Sequence, residues 1–141
     1  MLEVIIKTGK ENMDIAMIHH YLSEESYWAQ GISYELVENS LTHSYCVGAF
    51  LDGRQVGFGR VITDYSTFAW FADFLVLPAF QGRGIAKKML THILELSWSR
   101  GLRRKMLNTS DAHELYRQFQ FTEPAKPGNL MEIFRPGMYV K

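Results

Sequence analysis

The sequence predicts a mixed α/β (α+β) fold, a mostly antiparallel central sheet flanked by helices, on three observations. Two alternating apolar runs, residues 44–51 and 55–63, are separated by Asp52-Gly53-Arg54. Asp-Gly between such runs marks a hairpin, because both residues tolerate positive φ. The run 68–77 is nearly all apolar and stops at Pro78, as expected of a central strand covered on both faces. Ile85, Met89, Ile93 and Leu96 then lie along one stripe of a helix over residues 84–100. Lys87, Lys88, Thr91 and Glu95 fall largely off that stripe, and Gly101 is placed to cap it.

The remaining elements follow in order. Residues 2–8, rich in Val and Ile, form a first strand, and Ile15, Ile18, His19 and Leu22 put residues 12–22 on a helix. A second short helix covers residues 34–41. Residues 104–109 form a short strand, and Asp111 with Glu114 has the N-cap and N3 spacing that opens a helix running to about Phe119. A final strand covers residues 130–134. There is no repeat and no low-complexity linker, so residues 1–141 are expected to form one domain.

Composition narrows the classes of function. With 47% hydrophobic and 21% charged residues the chain is globular, and fifteen basic residues balance fifteen acidic ones. No whole-protein field draws nucleic acid or an anionic membrane, so neither is expected as a partner. The longest apolar run is about half a membrane span and is interrupted by Asp73, and Met1-Leu2-Glu3 begins no signal peptide, so a cytoplasmic location is expected. The single cysteine, Cys46, lies in an alternating strand run and reads as a buried, inert thiol. His19-His20 has no Cys or carboxylate cluster at ligand spacing, and no metal is expected.

The chemistry concentrates in Gln81-Gly82-Arg83-Gly84-Ile85-Ala86, between the end of a buried strand and the start of a helix. Two glycines let backbone N–H groups converge on an anion-sized concavity. The helix N-terminus adds free donors and about half a positive charge, so the turn suits a pyrophosphate held largely without side chains. A Walker loop would need its four-residue gap and Gly-Lys-Ser/Thr ending, and a dinucleotide fingerprint a third glycine where Lys87 stands. The fingerprint also belongs early in a parallel βαβ unit, whereas here a hairpin comes first.

Val76-Leu77-Pro78-Ala79-Phe80-Gln81-Gly82-Arg83-Gly84-Ile85-Ala86 resembles the acyl-CoA-binding motif of the GCN5-related N-acetyltransferase (GNAT) superfamily, with Gln81, Gly84 and Ala86 in its defined places. The element order is similar over essentially the whole chain, and Tyr116 occupies the place of that family's usual tyrosine on its later helix. The resemblance implies the acyl-CoA N-acyltransferase fold, with splayed fourth and fifth strands. It also implies acetyl-CoA as acyl donor and an amine as acceptor, attacked directly in a ternary complex.

Carried over residue by residue, the resemblance puts the pantetheine arm along the backbone of Phe74, Leu75, Val76 and Leu77. The Val76 N–H then faces the thioester oxygen, where it stabilises the developing negative charge. Tyr116 is implied as the acid that protonates the leaving thiolate, its alternative being a half-buried packing residue beside Leu115 and Phe119. Asn108 is implied to hold pantetheine or bridge a water, or else to satisfy its own turn. Gln81, Gly82, Arg83, Gly84, Ile85 and Ala86 would hold the phosphates, with Arg83 preferred over Lys87 and Lys88.

The base is less defined. Asp73 is the one carboxylate in its strand, and burial there would raise its pKa. Strand alternation nevertheless puts it on the face opposite Val76 unless a β-bulge intervenes, and it also reads as a structural acceptor. Asp64 and Tyr65 are comparable candidates, and a water relay would need none of them. The resemblance departs at Tyr116-Arg117-Gln118-Phe119-Gln120-Phe121, where the family has Gly and this chain has Gln120.

Trp28 and Tyr65, with Tyr27, Tyr34 and Phe80, are candidates to line the acceptor pocket, or are plain core. A small-molecule amine is preferred to a protein lysine or N-terminus, since the chain shows no added acidic or extended peptide-binding segment. A homodimer is compatible with the resemblance, although nothing in the sequence marks an interface. Two rival readings remain at this point. One is a non-catalytic acyl-CoA-binding module acting as sensor or interaction partner, and the other a nucleotide-binding domain using Gly82 and Gly84.

Overall fold

The computed structural model describes residues 3–140. Five strands form one open sheet in the order β1-β2-β3-β4-β5: β1 (Val4–Thr8), β2 (Tyr45–Leu51), β3 (Arg54–Thr63), β4 (Phe68–Val76) and β5 (Arg104–Leu107). The first four are antiparallel neighbours, while β4 and β5 run parallel. The Asp-Gly hairpin forms as expected, with Asp52 at φ 51° and Gly53 at φ 79°. The expected first strand begins at Leu2, which lies outside the described residues.

Helices cover both faces. On one, α3 (Ile85–Glu95) buries Ile85, Met89, Leu90 and Ile93 against Val47, Ala49, Val56, Val61, Ala69 and Phe71. On the other, α1 (Ile15–His20) and α2 (Tyr34–Thr42) bury Ile18, Val37 and Leu41 with Cys46, Phe50, Phe58 and Leu75. The near-continuous apolar reading of β4 has this cause, since Phe71 faces one core and Leu75 the other.

Several expectations are corrected. The first helix starts later than expected, because Asn12 belongs to a 3-10 turn and Asp14 is the N-cap, its carboxylate accepting from the Met17 N–H at 3.1 Å. Leu22 lies in the π-helical turn that follows α1. The long helix expected to reach Arg100 breaks at Leu96, which takes extended dihedrals before α4 (Ser97–Arg100). That break seats the Trp98 indole edge-on against Tyr45 (5.4 Å) and Tyr65 (5.0 Å). Gly101 follows α4 in a right-handed conformation, so it does not supply the left-handed cap its type suggested.

At α5 (His113–Arg117) the Asp111–Glu114 capping box does not form. The Thr109 hydroxyl receives the Ala112 N–H at 3.0 Å, and Glu114 pairs instead with Arg117 at 2.8 Å. The expected strand at residues 130–134 is absent, because no strand lies beside it to complete a ladder.

The sheet opens along one line. β5 pairs with β4 only from Phe68–Arg104 to Phe71–Leu107, so β4 continues through residues 72–76 with no partner on that side. Just past the divergence β4 carries a bulge. Phe58 faces Leu75 and Arg60 faces Ala72, which leaves Asp73 and Phe74 opposite Gly59 alone, with Asp73 at φ 58°. The Phe74 ring lies directly on Gly59, where a Cβ would stand 2.4 Å from the ring.

Candidate active site

The turn after β4 is built as its composition requires. Gly82 and Gly84 adopt φ 79° and 75°, and a Cβ at either would meet nothing within 4 Å, so backbone conformation rather than space demands glycine. Gly84 is the N-cap of α3 and makes no side-chain cap bond; the first helical bond there runs from the Lys88 N–H to the Gly84 carbonyl at 3.0 Å. The amides of Ile85, Ala86 and Lys87 therefore remain free to receive an anion. Gln81 ties turn to strand, its Nε2 donating to the Val76 carbonyl at 3.0 Å.

Val76 lies at the open edge. The Leu77 N–H donates to the Val56 carbonyl at 2.9 Å, so by strand alternation the Val76 amide points away from β3, toward the gap left by β5. A cavity of about 210 Å³ occupies this corner, lined by Val76, Phe80, Gln81, Gly82, Gly84 and Leu115 among others. Arg83 and Arg54 hold their guanidinium groups over the Phe80 ring, at 5.4 and 5.5 Å. Lys88 is turned elsewhere, its Nζ donating to the Val4 carbonyl at 2.6 Å.

Tyr116 follows Leu115 on α5 and, with Asn108 at the end of β5, lines a second and larger cavity of about 790 Å³. Its ring meets Phe121 edge-on at 5.8 Å. Burial, with smaller contributions from Tyr27 and Asp111, pushes its phenol up to about 12, so the group keeps its proton at neutral pH and is available as a donor. The adjacent residues Leu115 and Tyr116 thus join the two cavities.

Asp73 lies on the α1/α2 face. Its carboxylate accepts from Arg60 Nε at 2.6 Å and from the Trp28 indole N–H at 2.8 Å, and Arg60 Nη1 also donates to the Ser44 hydroxyl at 3.0 Å. Arg60 is a residue that sequence reasoning missed, although its signal was present: it is a cation in the interior of β3, between Gly59 and Val61, whereas Arg54 stands at the strand's first position. Tyr27, a candidate for pocket wall or core, has a third role: its hydroxyl accepts the Ser110 N–H at 3.1 Å and bridges the α1–α2 connection to the β5–α5 connection.

Trp28 and Tyr65 are not brought together. Trp28 packs on Tyr27 (4.9 Å) beside the bulge, whereas Tyr65 meets Trp98 at the start of β4. The carboxylate of Asp64 accepts from the Thr67 hydroxyl and from the N–H groups of Thr67, Ser66 and Phe68, which hold it well below the usual carboxylate range. Burial pushes the Cys46 thiol up to about 11, in keeping with an inert group. His19 engages the Ile32 carbonyl, and among the described residues no group of three or more His, Cys, Asp or Glu could hold a metal ion. No helix among them is long and apolar enough to cross a membrane.

An open five-stranded sheet whose fourth and fifth strands part over a helix-capping turn defines the class of protein. The chain belongs to the acetyltransferase (GNAT) family, whose model matches residues 15–121. It is similar to the GNAT-family protein xcc2953 of Xanthomonas campestris pv. campestris, with 45% identity and a TM-score of 0.96 over 99% of this chain and 98% of that one. FG08082 of Gibberella zeae, which carries an acetyltransferase name, is 28% identical over 135 residues, covering 81% of this chain and 76% of that protein. The fold is shared by an acetyltransferase of Clostridium acetobutylicum solved with acetyl-CoA, at 13% identity and a TM-score of 0.68 over 94% of this chain and 96% of that one.

Proposed function

We propose that this chain transfers an acetyl group from acetyl-CoA to the primary amine of a small molecule, by direct attack within a ternary complex and without a metal. The single observation that carries this reading is the juxtaposition, at one opening of the sheet, of the unpaired Val76 amide and the free amides at the start of α3. A diphosphate fits the turn, and an extended amide-bearing arm fits the unpaired edge over residues 74–77.

When bound, acetyl-CoA supplies an activated acyl carbon. Gln81, Gly82, Arg83, Gly84, Ile85 and Ala86 receive its pyrophosphate, and the backbone of Phe74, Leu75 and Val76 aligns the arm. The Val76 N–H donates to the thioester oxygen as that oxygen gains negative charge. The amine nitrogen bonds to the acyl carbon, the carbon–sulfur bond breaks, and the Tyr116 hydroxyl protonates the departing thiolate, assisted by Asn108. Asp73, with Trp28 and Arg60 donating to its carboxylate, serves as a structural acceptor rather than as the base. The amine proton then passes to water, and a proton from water returns to the Tyr116 oxygen, which restores the phenol. Trp28, beside the bulge, and Tyr65, at the start of β4, border the acceptor's approach from different sides. The reaction is cytoplasmic on this reading, and one domain over residues 1–141 performs it.

Thermal stability with acetyl-CoA, CoA, NAD and ATP tests the assignment. At about a hundred times its dissociation constant a single-site ligand adds about 2.7 kcal/mol, which raises the melting point by several degrees. A shift with the two CoA species alone supports the reading, and thiol release with a panel of amines then separates an enzyme from a non-catalytic acyl-CoA-binding module. Absence of a shift with either CoA species overturns it.

A further inference from the structure

The pairing of β4 with β5 ends at Phe71–Leu107, so Val76 and Tyr116 stand on opposite sides of an opening that no ladder spans. α5, which carries Tyr116, is poorly built to hold a side chain still. It has five residues, and its N-cap, Ala112, makes no side-chain cap bond. A helix that short depends on tertiary support. Apolar packing supplies part of it: Phe121 meets Phe71 edge-on at 5.4 Å, and Leu115, Tyr116 and Phe119 lie against the core on the α3 face. Such packing is non-directional. Among the described residues one hydrogen bond joins the segment after residue 108 to the preceding chain, and it runs from the Ser110 N–H to the Tyr27 hydroxyl.

The acceptor of that bond is itself held. Tyr27 follows the buried Ser26, whose hydroxyl donates to the Leu22 carbonyl at 2.6 Å and accepts the Ala29 N–H at 3.1 Å. The next residue, Trp28, sets its ring edge-on to Tyr27 at 4.9 Å and donates its indole N–H to Asp73 in the β4 bulge. Arg60 holds the same carboxylate from β3, and Asp73 stands three residues before Val76. Two consecutive residues therefore reach the two sides of the opening, Trp28 the β4 side and Tyr27 the approach to α5. Tyr27 is 54% exposed and Trp28 41%, so burial alone does not account for where they lie. The Tyr27 phenol is also close enough to Tyr116 to contribute to the upward shift of its pKa.

We propose that Tyr27 and Trp28 clamp the opening between β4 and β5, and that Tyr27 is a positioning residue: through the Ser110 amide it sets the Tyr116 hydroxyl at the leaving sulfur, while Trp28 holds the strand that carries Val76. The inference rests on the acetyl-transfer reading and extends it to the α1–α2 connection. Its physical basis is that the acid and the oxyanion donor belong to strands that no longer pair, so their separation is set by whatever bridges them, and a displacement of about 1 Å in such a pair costs up to about a hundredfold in rate.

The test uses Tyr27→Phe, which keeps the ring and removes the acceptor of the Ser110 N–H. Amide hydrogen exchange without ligand runs about two- to tenfold faster at Ser110 and through residues 113–117, the range spanned by one net hydrogen bond, and is unchanged in α3. In thiol release kcat falls about tenfold or more, while KM for acetyl-CoA stays within about twofold and the thermal shift with CoA persists. In a Tyr116→Phe background the same substitution costs less than about twofold, because it acts through a group already removed. Trp28→Phe frees the other end and also lowers kcat, and the double variant is no slower than the slower single one. Wild-type kcat in Tyr27→Phe overturns the proposal, as does unchanged exchange over residues 110–117. Losses of equal size with and without the Tyr116 hydroxyl overturn it too, as does a fall in kcat matched by a rise in KM for acetyl-CoA, the pattern of a general packing defect. Absence of a wild-type thermal shift with either CoA species removes the acetyl-transfer reading and this role with it, whereas an active, CoA-binding wild type beside an equally active Tyr27→Phe removes this role alone.

Discussion

The Phe121 N–H reaches back to the carbonyl of Tyr116 at 3.2 Å, closing the C-terminus of α5 around Gln120, which stands at φ 73°. This is the left-handed turn for which glycine is the usual residue, made here by glutamine. The conformation costs an L-residue about 1–2 kcal/mol, partly offset by the smaller entropy a non-glycine residue loses on folding. Gln120→Gly is therefore expected to stabilise the protein by about 0.5–1 kcal/mol, and a β-branched Gln120→Val to destabilise it. Chemical denaturation of the three proteins checks the order.

Tyr116→Phe is expected to lower kcat by about 10²- to 10⁴-fold, the range for loss of a positioned acid, while the thermal shift with CoA persists. If the tyrosine only packs, kcat changes little, and the same thiol-release assay detects that outcome.

The titration of Tyr116 carries a separate prediction. Its pKa lies at about 12 in the folded protein, against 10.0 unperturbed, so the folded state favours the protonated phenol. The corresponding stability is fully present below pH 10 and is lost as pH rises from 10 toward about 12. Wild type should lose stability more steeply than Tyr116→Phe across that window, as measured by urea unfolding at stepped pH.

Arg60→Ala leaves the Asp73 carboxylate, largely buried, with the Trp28 indole as its one remaining side-chain donor. Removing one partner of such a pair is expected to cost about 3–5 kcal/mol. Asp73→Asn should also destabilise, yet the protein that remains folded should turn over within about tenfold of wild type with an unshifted acid limb. Loss of that limb would instead assign Asp73 as the base.

Two glycines separate space from conformation. Gly84→Ala meets no atom but holds a left-handed residue at the head of α3, and is expected to raise KM for acetyl-CoA about tenfold or more. Gly59→Ala drives a methyl group into the Phe74 ring and is expected to destabilise by about 1–3 kcal/mol, with the loss concentrated at the β4 bulge. Isothermal titration and thermal melts distinguish the two kinds of damage.

The features legible in the sequence are those set by neighbours along the chain. The Asp52-Gly53 turn, the strand periods, the stripe of α3 and the Gly82/Gly84 turn before it follow from residue type and spacing, because φ/ψ preference and amphipathic period are local quantities. Tertiary structure decided the rest. Where β4 and β5 part after Phe71, whether Asp73 is turned by a bulge toward Arg60 and Trp28, and whether Gln120 accepts a left-handed turn all depend on contacts with distant segments. Residues 130–134 mark the boundary most sharply. Their sequence specifies a strand, but a strand requires a second backbone to complete its hydrogen bonds, and the single folded chain does not place one there.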